Sequence, residues 1–489
     1  MEKTAEQEVE NLLCALVKKV PEFQNKVFSI GGFVRDKFLG VSSKDLDIVV
    51  TEKDGAEKFA KFLKQSLAAW GDIPSEGIST PYKLGESYPI WHLRFNNDIV
   101  FENKIYLTAG AELDIVDSQK ECFPDPESRQ RITVFGTFDE DIERRDFTIN
   151  MLAFDLTNER VVDASASGID DIKKKIIRFH PKISGDKVFS DDPLRMIRAI
   201  RFHCKYDFDV DPETLNAIKR NAERIKIISG ERIRDELIKI MLLGKLHKAI
   251  QIMDKFDLLQ YILPEVKALQ GVEQDVYYHA EGDVYVHTLM VLEKTKSTVV
   301  SQMAALLHDI GKPATQEFKP QPDNAPPRIS FKKHETISSE LAEVVMQRLK
   351  FDLDTIKKVR KLIEFHLKGH SANEWSGSAV RRFIRDCGDE LEDVLHITDC
   401  DSQSSHGHWV KNHIPELRER IKHVSQIPVR KKTILNGNEI MNLLNLKPGK
   451  QLGEIINKLQ EIEDDFAVQF CRAITREEAE QQLKSTFIV

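Results

Sequence analysis

The sequence predicts an α+β chain: a head on a small mixed sheet, then an all-α neck, a further helical domain and a helical tail. Within the first 155 or so residues, Val27-Phe28-Ser29-Ile30, Leu46-Asp47-Ile48-Val49-Val50, Leu113-Asp114-Ile115-Val116 and Met151-Leu152-Ala153-Phe154 read as strands among helical stretches. From about residue 165 onward, apolar residues recur at three- and four-residue spacing, as at Leu194, Ile197 and Ile200 and at Ile233, Leu237, Ile240 and Met241, the stripe of a helix with one buried face. The length of 489 residues exceeds what one core supports, so three or four domains are expected, and more than one active site has room.

Val27 to Val50 is the most informative stretch: a strand, Gly31-Gly32, a short helix from Phe33 to Leu39 ended by Gly40, and a second strand bearing Asp45 and Asp47. Side chains two apart on a strand share a face, so the two carboxylates project together while Leu46 and Ile48 enter the core. Convergent oxygens of this kind suit a pair of Mg²⁺ ions, as nucleotidyl transfer requires. Gly31-Gly32 lets backbone approach a triphosphate, the following helix start offers free N–H groups, and Arg35, steadied by Asp36, is a further phosphate contact. Each piece alone also has a plain explanation, a turn or a solvated edge; the order and spacing together point to chemistry.

Farther on, Arg144-Arg145-Asp146-Phe147-Thr148-Ile149-Asn150 sets three charges against an apolar strand, which either a ligand site or a buried salt bridge explains. Asp191-Asp192-Pro193-Leu194-Arg195-Met196-Ile197-Arg198 and Gly230-Glu231-Arg232-Ile233-Arg234-Asp235-Glu236-Leu237 follow in the helical region, where Ser229 is a candidate N-cap.

These segments resemble the class II tRNA nucleotidyltransferases and bacterial poly(A) polymerases, and the resemblance implies a nucleotidyltransferase-type head. It makes Asp45 and Asp47 the metal ligands and expects a third acid on a neighbouring strand: Asp114, with Glu112 on the same face as its rival. Thr80 to Phe95 matches the family's glycine-threonine strand poorly. The resemblance implies ribose and phosphate contacts from Arg144, Arg145 and Asp146, with Asn150 in the same motif, and a carboxylate accepting from the 2′-hydroxyl favours ribonucleotides. Asp192 and Arg195, with Arg198 beside them, match a nucleotide-recognition motif; three apart, they are expected on one helix face. A carboxylate that accepts and a guanidinium that donates suit cytosine and adenine, whereas guanine and uracil would leave both unpaired at about 1–3 kcal/mol each. An exposed i,i+3 ion pair is the plainer alternative. The 230–237 motif is expected to position this template.

His287, then His308-Asp309-Ile310-Gly311-Lys312-Pro313, His334, His366 and Asp401 form a dispersed series in a helical background. In this order it resembles the HD phosphohydrolase domain, which implies that His287, His308, Asp309 and Asp401 hold one divalent metal and that His334 and His366 can supply a second. The donors suit Mn²⁺, Ni²⁺, Fe or Mg²⁺, and the chemistry implied is phosphoester hydrolysis. Asp399 is the alternative to Asp401. The likeness continues through Ser378-Ala379-Val380-Arg381-Arg382, Asn436-Gly437 and Lys447-Pro448-Gly449.

Boundaries are expected to give a head over 1–160, a neck for nucleotide and RNA recognition over 161–264, the HD domain over 265–425 and the tail over 426–489, with the proline-dense stretch Lys319 to Pro327 a loop inside the third. A hydrophobic fraction of 41% and charged fraction of 31% are those of a globular chain. A net charge of −8 is unusual for a nucleic-acid binder, although Arg144-Arg145, Lys173-Lys174-Lys175, Arg195/Arg198/Arg201 and Arg430-Lys431-Lys432 are locally basic; a solvated helix face is the better explanation of any one of them alone. Six scattered cysteines (Cys14, Cys122, Cys204, Cys387, Cys400, Cys471) without a CxxC pair fit buried small hydrophobes in a reducing compartment. No secretory leader or spanning run is apparent, so a cytoplasmic protein without membrane attachment is expected. Together the expectations are an enzyme adding CCA to tRNA from CTP and ATP with two Mg²⁺ in the head; CC-adding, A-adding and poly(A)-adding activities are the alternatives within the class, and an HD phosphohydrolase with an RNA-binding head is the alternative outside it. Specificity is expected to rest partly on a loop within Lys120 to Arg131.

Overall fold

The computed structural model describes residues 5–41, 46–70, 77–84, 89–96, 99–101, 104–107, 112–122, 132–322, 327–407, 411–426, 433–470 and 472–487. Asp45, most of the Lys120–Arg131 loop, Arg430-Lys431-Lys432 and Cys471 lie outside the described residues. The chain divides into two compact units, one of residues 1–236 and 251–262, the other of 237–250 and 263–489.

The first unit opens with α1 (Ala5–Lys19), β1 (Val27–Ile30), α2 (Gly32–Leu39), β2 (Leu46–Val50), α3 (Gly55–Trp70), β3 (Tyr82–Leu84) and β4 (Ile90–Arg94). It continues through β5 (Ile99–Phe101), β6 (Lys104–Leu107), β7 (Glu112–Asp117), β8 (Gln119–Cys122), β9 (Ile132–Phe135), α4 (Phe138–Glu143), β10 (Leu152–Asp155) and β11 (Arg160–Asp163). Seven of these strands form one mixed sheet in the order β11-β10-β1-β2-β7-β4-β3, with β2 and β7 parallel and the other pairs antiparallel. The stretch that matched its family poorly therefore supplies the β3–β4 edge. Alternation works as expected on β2 and β7: Leu46, Ile48, Leu113 and Ile115 are buried, and α3 packs across β2, β4 and β7. The opposite face carries the small cluster Ile30, Val49 and Ala153, with Asp47 exposed at the end of β2.

Helices then take over: α5 (Gly168–Lys174), β12 (Ile176–Ile177), α6 (Gly185–Asp191), α7 (Leu194–Tyr206), β13 (Asp209–Val210), α8 (Pro212–Asn221), α9 (Gly230–Met241), α10 (Leu246–Lys255) and α11 (Leu259–Ile262). The predicted stripe of α7, Leu194, Ile197 and Ile200, is buried, and Met196 and Ala199 are buried beside it.

The second unit contains α12 (Pro264–Lys267), α13 (Val284–Lys294), α14 (Val299–Leu307), α15 (Lys312–Thr315), β14 (Gln316–Lys319), β15 (Arg328–Phe331), α16 (His334–Arg348), α17 (Leu353–Phe365), α18 (Gly377–Cys387), α19 (Leu391–Ser404), α20 (Ile414–Ser425), α21 (Gly437–Leu444), α22 (Lys450–Phe470) and α23 (Arg476–Phe487). β14 and β15, which flank the proline-dense stretch, pair antiparallel; residues 323–326 lie outside the described residues. The last three helices close on their own apolar cluster, including Leu435, Ile440, Ile455, Leu459, Ile474 and Leu483. Cys14, Cys204, Cys387 and Cys400 are buried thiols as expected, whereas Cys122, on the short β8–β9 ribbon, is exposed.

Candidate active sites

In the head, β1 ends in a turn that only glycine fits comfortably. Gly31 has φ 70° and ψ −126°, and a Cβ there would stand 3.0 Å from Arg145 Nη1. α2 follows and stops where predicted, at Gly40 in the left-handed region.

The parallel pairing of β2 with β7 puts Asp47 in register with Asp114. Registered residues on neighbouring strands share a face, so two carboxylates from different parts of the chain sit side by side. Glu112 lies two residues away on β7, in register with Arg94 of β4. His92 Nδ1 meets Asp114 Oδ1 at 2.7 Å and steadies it. The register thus brings Asp114, rather than Glu112, beside Asp47. Two adjacent, solvent-facing carboxylates are a donor set that fits a hard divalent cation.

Arg35 does not lie open to solvent as a phosphate contact would. It is 5% exposed, donating from Nε to Asp36 Oδ1 at 2.8 Å and also to Asn150 Oδ1, with Phe202 and Tyr206 under its guanidinium. Tyr206 donates to the same Asp36 oxygen at 2.9 Å, so Asp36 does hold Arg35, but in the core.

The Arg-Arg-Asp segment is similarly knit. Arg144 donates to Asp141 Oδ1 from Nε and Nη2, and Arg145 Nη2 reaches Asp141 Oδ2 at 3.1 Å. Asp146 accepts from Asn150 Nδ2 at 2.8 Å and from Arg198 Nε at 2.8 Å. Burial alone would raise its pKa; Arg198 and the Asn150 bond outweigh that and hold the carboxyl well below its usual range.

The template pair departs from expectation. Asp192 is not on a helix with Arg195: α6 ends at Asp191, Pro193 interrupts, and Asp192 takes an extended conformation between the helices. Its Oδ1 accepts from Leu194 N at 3.2 Å and its Oδ2 from Arg232 Nη2 at 2.8 Å, so its ion-pair partner is Arg232 rather than Arg195. Arg195 is buried and donates to the carbonyls of Val188 and Arg144. Glu236 takes Arg201 at 2.5 Å and lies 3.7 Å from Arg198. The 230–237 segment therefore touches both ends of the 192–201 segment, the positioning expected of it, and the basic run on α7 is offset by Asp146 and Glu236 rather than presented bare.

In the second unit the dispersed histidines converge. The fold brings His287 (α13), His308 and Asp309 (after α14), His334 (α16), His366 (after α17) and Asp401 (α19) into one buried cluster. His287, His308 and Asp401 have donor atoms within 4.8 Å of one another, as do Asp309, His334 and His366. His308, His334 and His366 each turn Nδ1 to a backbone carbonyl, of Ala305, Phe331 and Ile363 respectively. That assigns the proton to Nδ1 and leaves Nε2 a lone pair pointing inward, the arrangement of a metal ligand. His308 Nε2, His334 Nε2 and Asp309 Oδ1 are buried without a hydrogen bond, and an ion is what would satisfy them. Although burial opposes it, Asp309 and Asp401 are held well below the usual carboxylate range, Asp309 by His308 and Lys312 and Asp401 by His287 and His370. Burial, with His308 and His334 adjacent, pushes His366 down to about 3.

Asp401, not Asp399, enters the cluster; Asp399 is bonded instead to Gln403 and Asn412. A cleft of about 180 Å³ reaches the cluster, with Tyr278, Phe331, His334 and Lys312 on its walls. Three polar residues of this centre, His279, Glu281 and His370, escaped sequence reading, and Lys312 was quoted in its motif without a role. His370 Nε2 contacts Asp401 Oδ2 at 2.8 Å, and Lys312 Nζ contacts Asp309 Oδ2 at 2.7 Å. Lys312 was within reach of sequence reasoning, three residues after Asp309; His370 is one turn past His366 but serves a different partner.

The two sites define a nucleotidyltransferase head and, separately, an HD centre. Residues 27–178 match the poly A polymerase head domain, 207–270 the probable RNA and SrmB-binding site of polymerase A, and 284–424 the HD domain. The chain belongs to the family of class II tRNA nucleotidyltransferases and poly(A) polymerases and is a nucleotidyltransferase. It is 29% identical over 338 residues to the A-adding tRNA nucleotidyltransferase of Deinococcus radiodurans, covering 66% of this chain and 74% of that one. It is 28% identical over 368 residues to the multifunctional CCA protein of Pseudomonas fluorescens, covering 74% and 79%. Among solved structures, the apo form II of a CCA-adding enzyme shares the fold with a TM-score of 0.62 at 21% identity, over 98% of this chain and 96% of that one. Members of this family generally use divalent metals. No helix among the described residues is long and apolar enough to cross a membrane.

Proposed function

We propose that this protein adds C, C and A to the 3′ end of tRNA from CTP and ATP in the head and hydrolyses a phosphoester at the HD centre, within the cytoplasm. The observation that carries the first part is the registered pair Asp47 and Asp114, which with Asp45 forms the acidic group for two Mg²⁺. When bound, the ions supply activation of the tRNA 3′-hydroxyl and neutralise the leaving pyrophosphate. The Gly31-Gly32 turn and the start of α2 cradle the triphosphate, and Arg144 and Arg145 stand beside it; Arg35, with Asn150, positions this wall from behind. Asp146 fixes Arg198 and faces the ribose side. Asp192 and Arg195 read the exocyclic amine and ring acceptor shared by cytosine and adenine: the guanidinium has five donors, more than its two carbonyl bonds consume. The working division is a head over 1–160, a recognition neck over 161–264, an HD domain over 265–425 and a tail over 426–489. At the HD centre, His287, His308 and Asp401 would hold one ion and His334 and His366 a second, of the Mn²⁺, Ni²⁺, Fe or Mg²⁺ class; Asp309, expected with the first set, is grouped with His334 and His366 while lying 3.1 Å from His308, so it would serve both.

The test offers tRNA lacking its terminal CCA to the protein with CTP, ATP or both, and sequences the 3′ ends. CC is expected with CTP alone and CCA with both. Incorporation stopping at C, or of A only onto a CC end, would make the chain a CC- or A-adding enzyme, and no incorporation would sink the reading.

Arg232→Ala tests the template separately. Freed from Arg232, Asp192 loses its orientation, and the preference in kcat/KM for CTP and ATP over UTP and GTP is expected to fall about tenfold, roughly 1.4 kcal/mol of discrimination. Unchanged discrimination would remove Asp192 from the template.

A further inference from the structure

His279 and Glu281 precede α13 and belong to none of the family motifs read from the sequence. The Glu281 side chain is 1% exposed, an expensive place for a carboxylate unless every lone pair is used. Here Oε1 receives both His279 Nδ1, at 2.8 Å, and His287 Nδ1, at 2.9 Å, while Oε2 accepts from His406 N at 2.9 Å. His406 stands just beyond α19, the helix that supplies Asp401. Glu281 therefore ties together the two helices whose side chains, His287 and Asp401, meet at 2.8 Å in the centre.

His287 differs from its fellow ligands in this respect. The Nδ1 atoms of His308, His334 and His366 rest on neutral carbonyls, whereas that of His287 rests on a carboxylate. A carboxylate behind an imidazole fixes its tautomer and makes the far nitrogen a better donor. The group His279, Glu281 and His287 also has the separation of a metal site in its own right, but both ring nitrogens of His287 meet carboxylates, Nδ1 on Glu281 at 2.9 Å and Nε2 on Asp401 at 2.8 Å, and each donates a proton there; a metal on Nε2 would replace that proton and leave Nδ1–H on Glu281. The contact to Glu281 is a hydrogen bond.

We propose that Glu281 is a positioning residue of the HD centre, orienting His287 and raising its strength as a metal ligand. This rests on the reading of the centre as a metal site given above, and the experiment separates the two. Mn²⁺ binding is measured by calorimetry on the full chain carrying Asp45→Asn and Asp47→Asn, so that the head contributes no ion. His308→Ala in that background is expected to lose the tight Mn²⁺ site; if it binds as its parent does, the metal reading itself falls. Glu281→Gln, which keeps size but not charge, is expected to weaken Mn²⁺ about 10–100-fold. Its hydrolysis of bis(p-nitrophenyl) phosphate should fall at limiting Mn²⁺ and return at saturating Mn²⁺, a rescue that simple structural damage would not show. Unaltered Mn²⁺ affinity, or a loss that saturating metal does not restore, would overturn the role of Glu281. Should Glu281→Gln not fold, Glu281→Asp, with a shorter reach to His287, is expected to show the same rescue at a smaller deficit.

Discussion

Asp47→Asn is expected to reduce nucleotide incorporation at least about 10³-fold, some 4 kcal/mol of lost transition-state stabilisation, with the fold intact. The substitution keeps the shape of the side chain and its place on β2, so the buried neighbours Leu46 and Ile48 are undisturbed. What it removes is the charge that pairs with Asp114 across the parallel register. Asp114→Asn should act similarly in steady-state incorporation of CTP and ATP, whereas Glu112→Gln, two residues along the same strand and opposite Arg94, should leave the rate within about threefold. A rate loss at Glu112 with none at Asp114 would mean that the register does not define the acidic group.

At the second centre, Asp309→Asn is expected to eliminate metal-dependent phosphoester hydrolysis while CCA addition continues at the parent rate. Asp309 faces His308 at 3.1 Å and His334 at 3.2 Å, so it bridges the two groups of donors, and an amide cannot replace a carboxylate bridge. Thermal unfolding provides a readout independent of turnover. A ligand bound only by the native state stabilises it by roughly 2.7 kcal/mol at a hundredfold excess over its dissociation constant. In the Asp45→Asn/Asp47→Asn background, where the head contributes no ion, Mn²⁺ should therefore raise the melting temperature, and should no longer do so once Asp309→Asn is added. If the variant hydrolyses phosphoesters like its parent, the activity lies elsewhere; if incorporation falls with it, the two centres are not independent.

Two activities on one chain are consistent with its arrangement as two compact units, each holding one constellation. The overall charge of −8 is not offset by a bare basic run on α7: Arg198 and Arg201 are set against Asp146 and Glu236, which fixes their geometry as it tempers their charge.

Much of the head was legible because its signals are local. Strand alternation placed Leu46 and Ile48 inward and Asp47 outward, Gly40 ended α2, and the period of α7 named its buried stripe. Asp192 and Arg195 were misplaced because spacing of three suggests a shared helix face, and Pro193 broke that helix instead. Arg35 was read as a phosphate contact because a guanidinium beside a glycine turn suits an anion; only the fold reveals Asn150 and two aromatic rings arranged, with Asp36, to take it inside.

By itself, then, the sequence determined the element types, the glycine turn, the acidic strand and the series of histidines and aspartates that the second unit gathers, since each depends on residues a few positions apart or on residue identity. Tertiary structure alone decided which distant groups meet: Asp114 rather than Glu112 beside Asp47, Arg232 on Asp192, and Asp401 rather than Asp399 in the cluster. Those choices follow from strand register and helix packing, which bring together side chains up to 114 residues apart, and no local spacing encodes them.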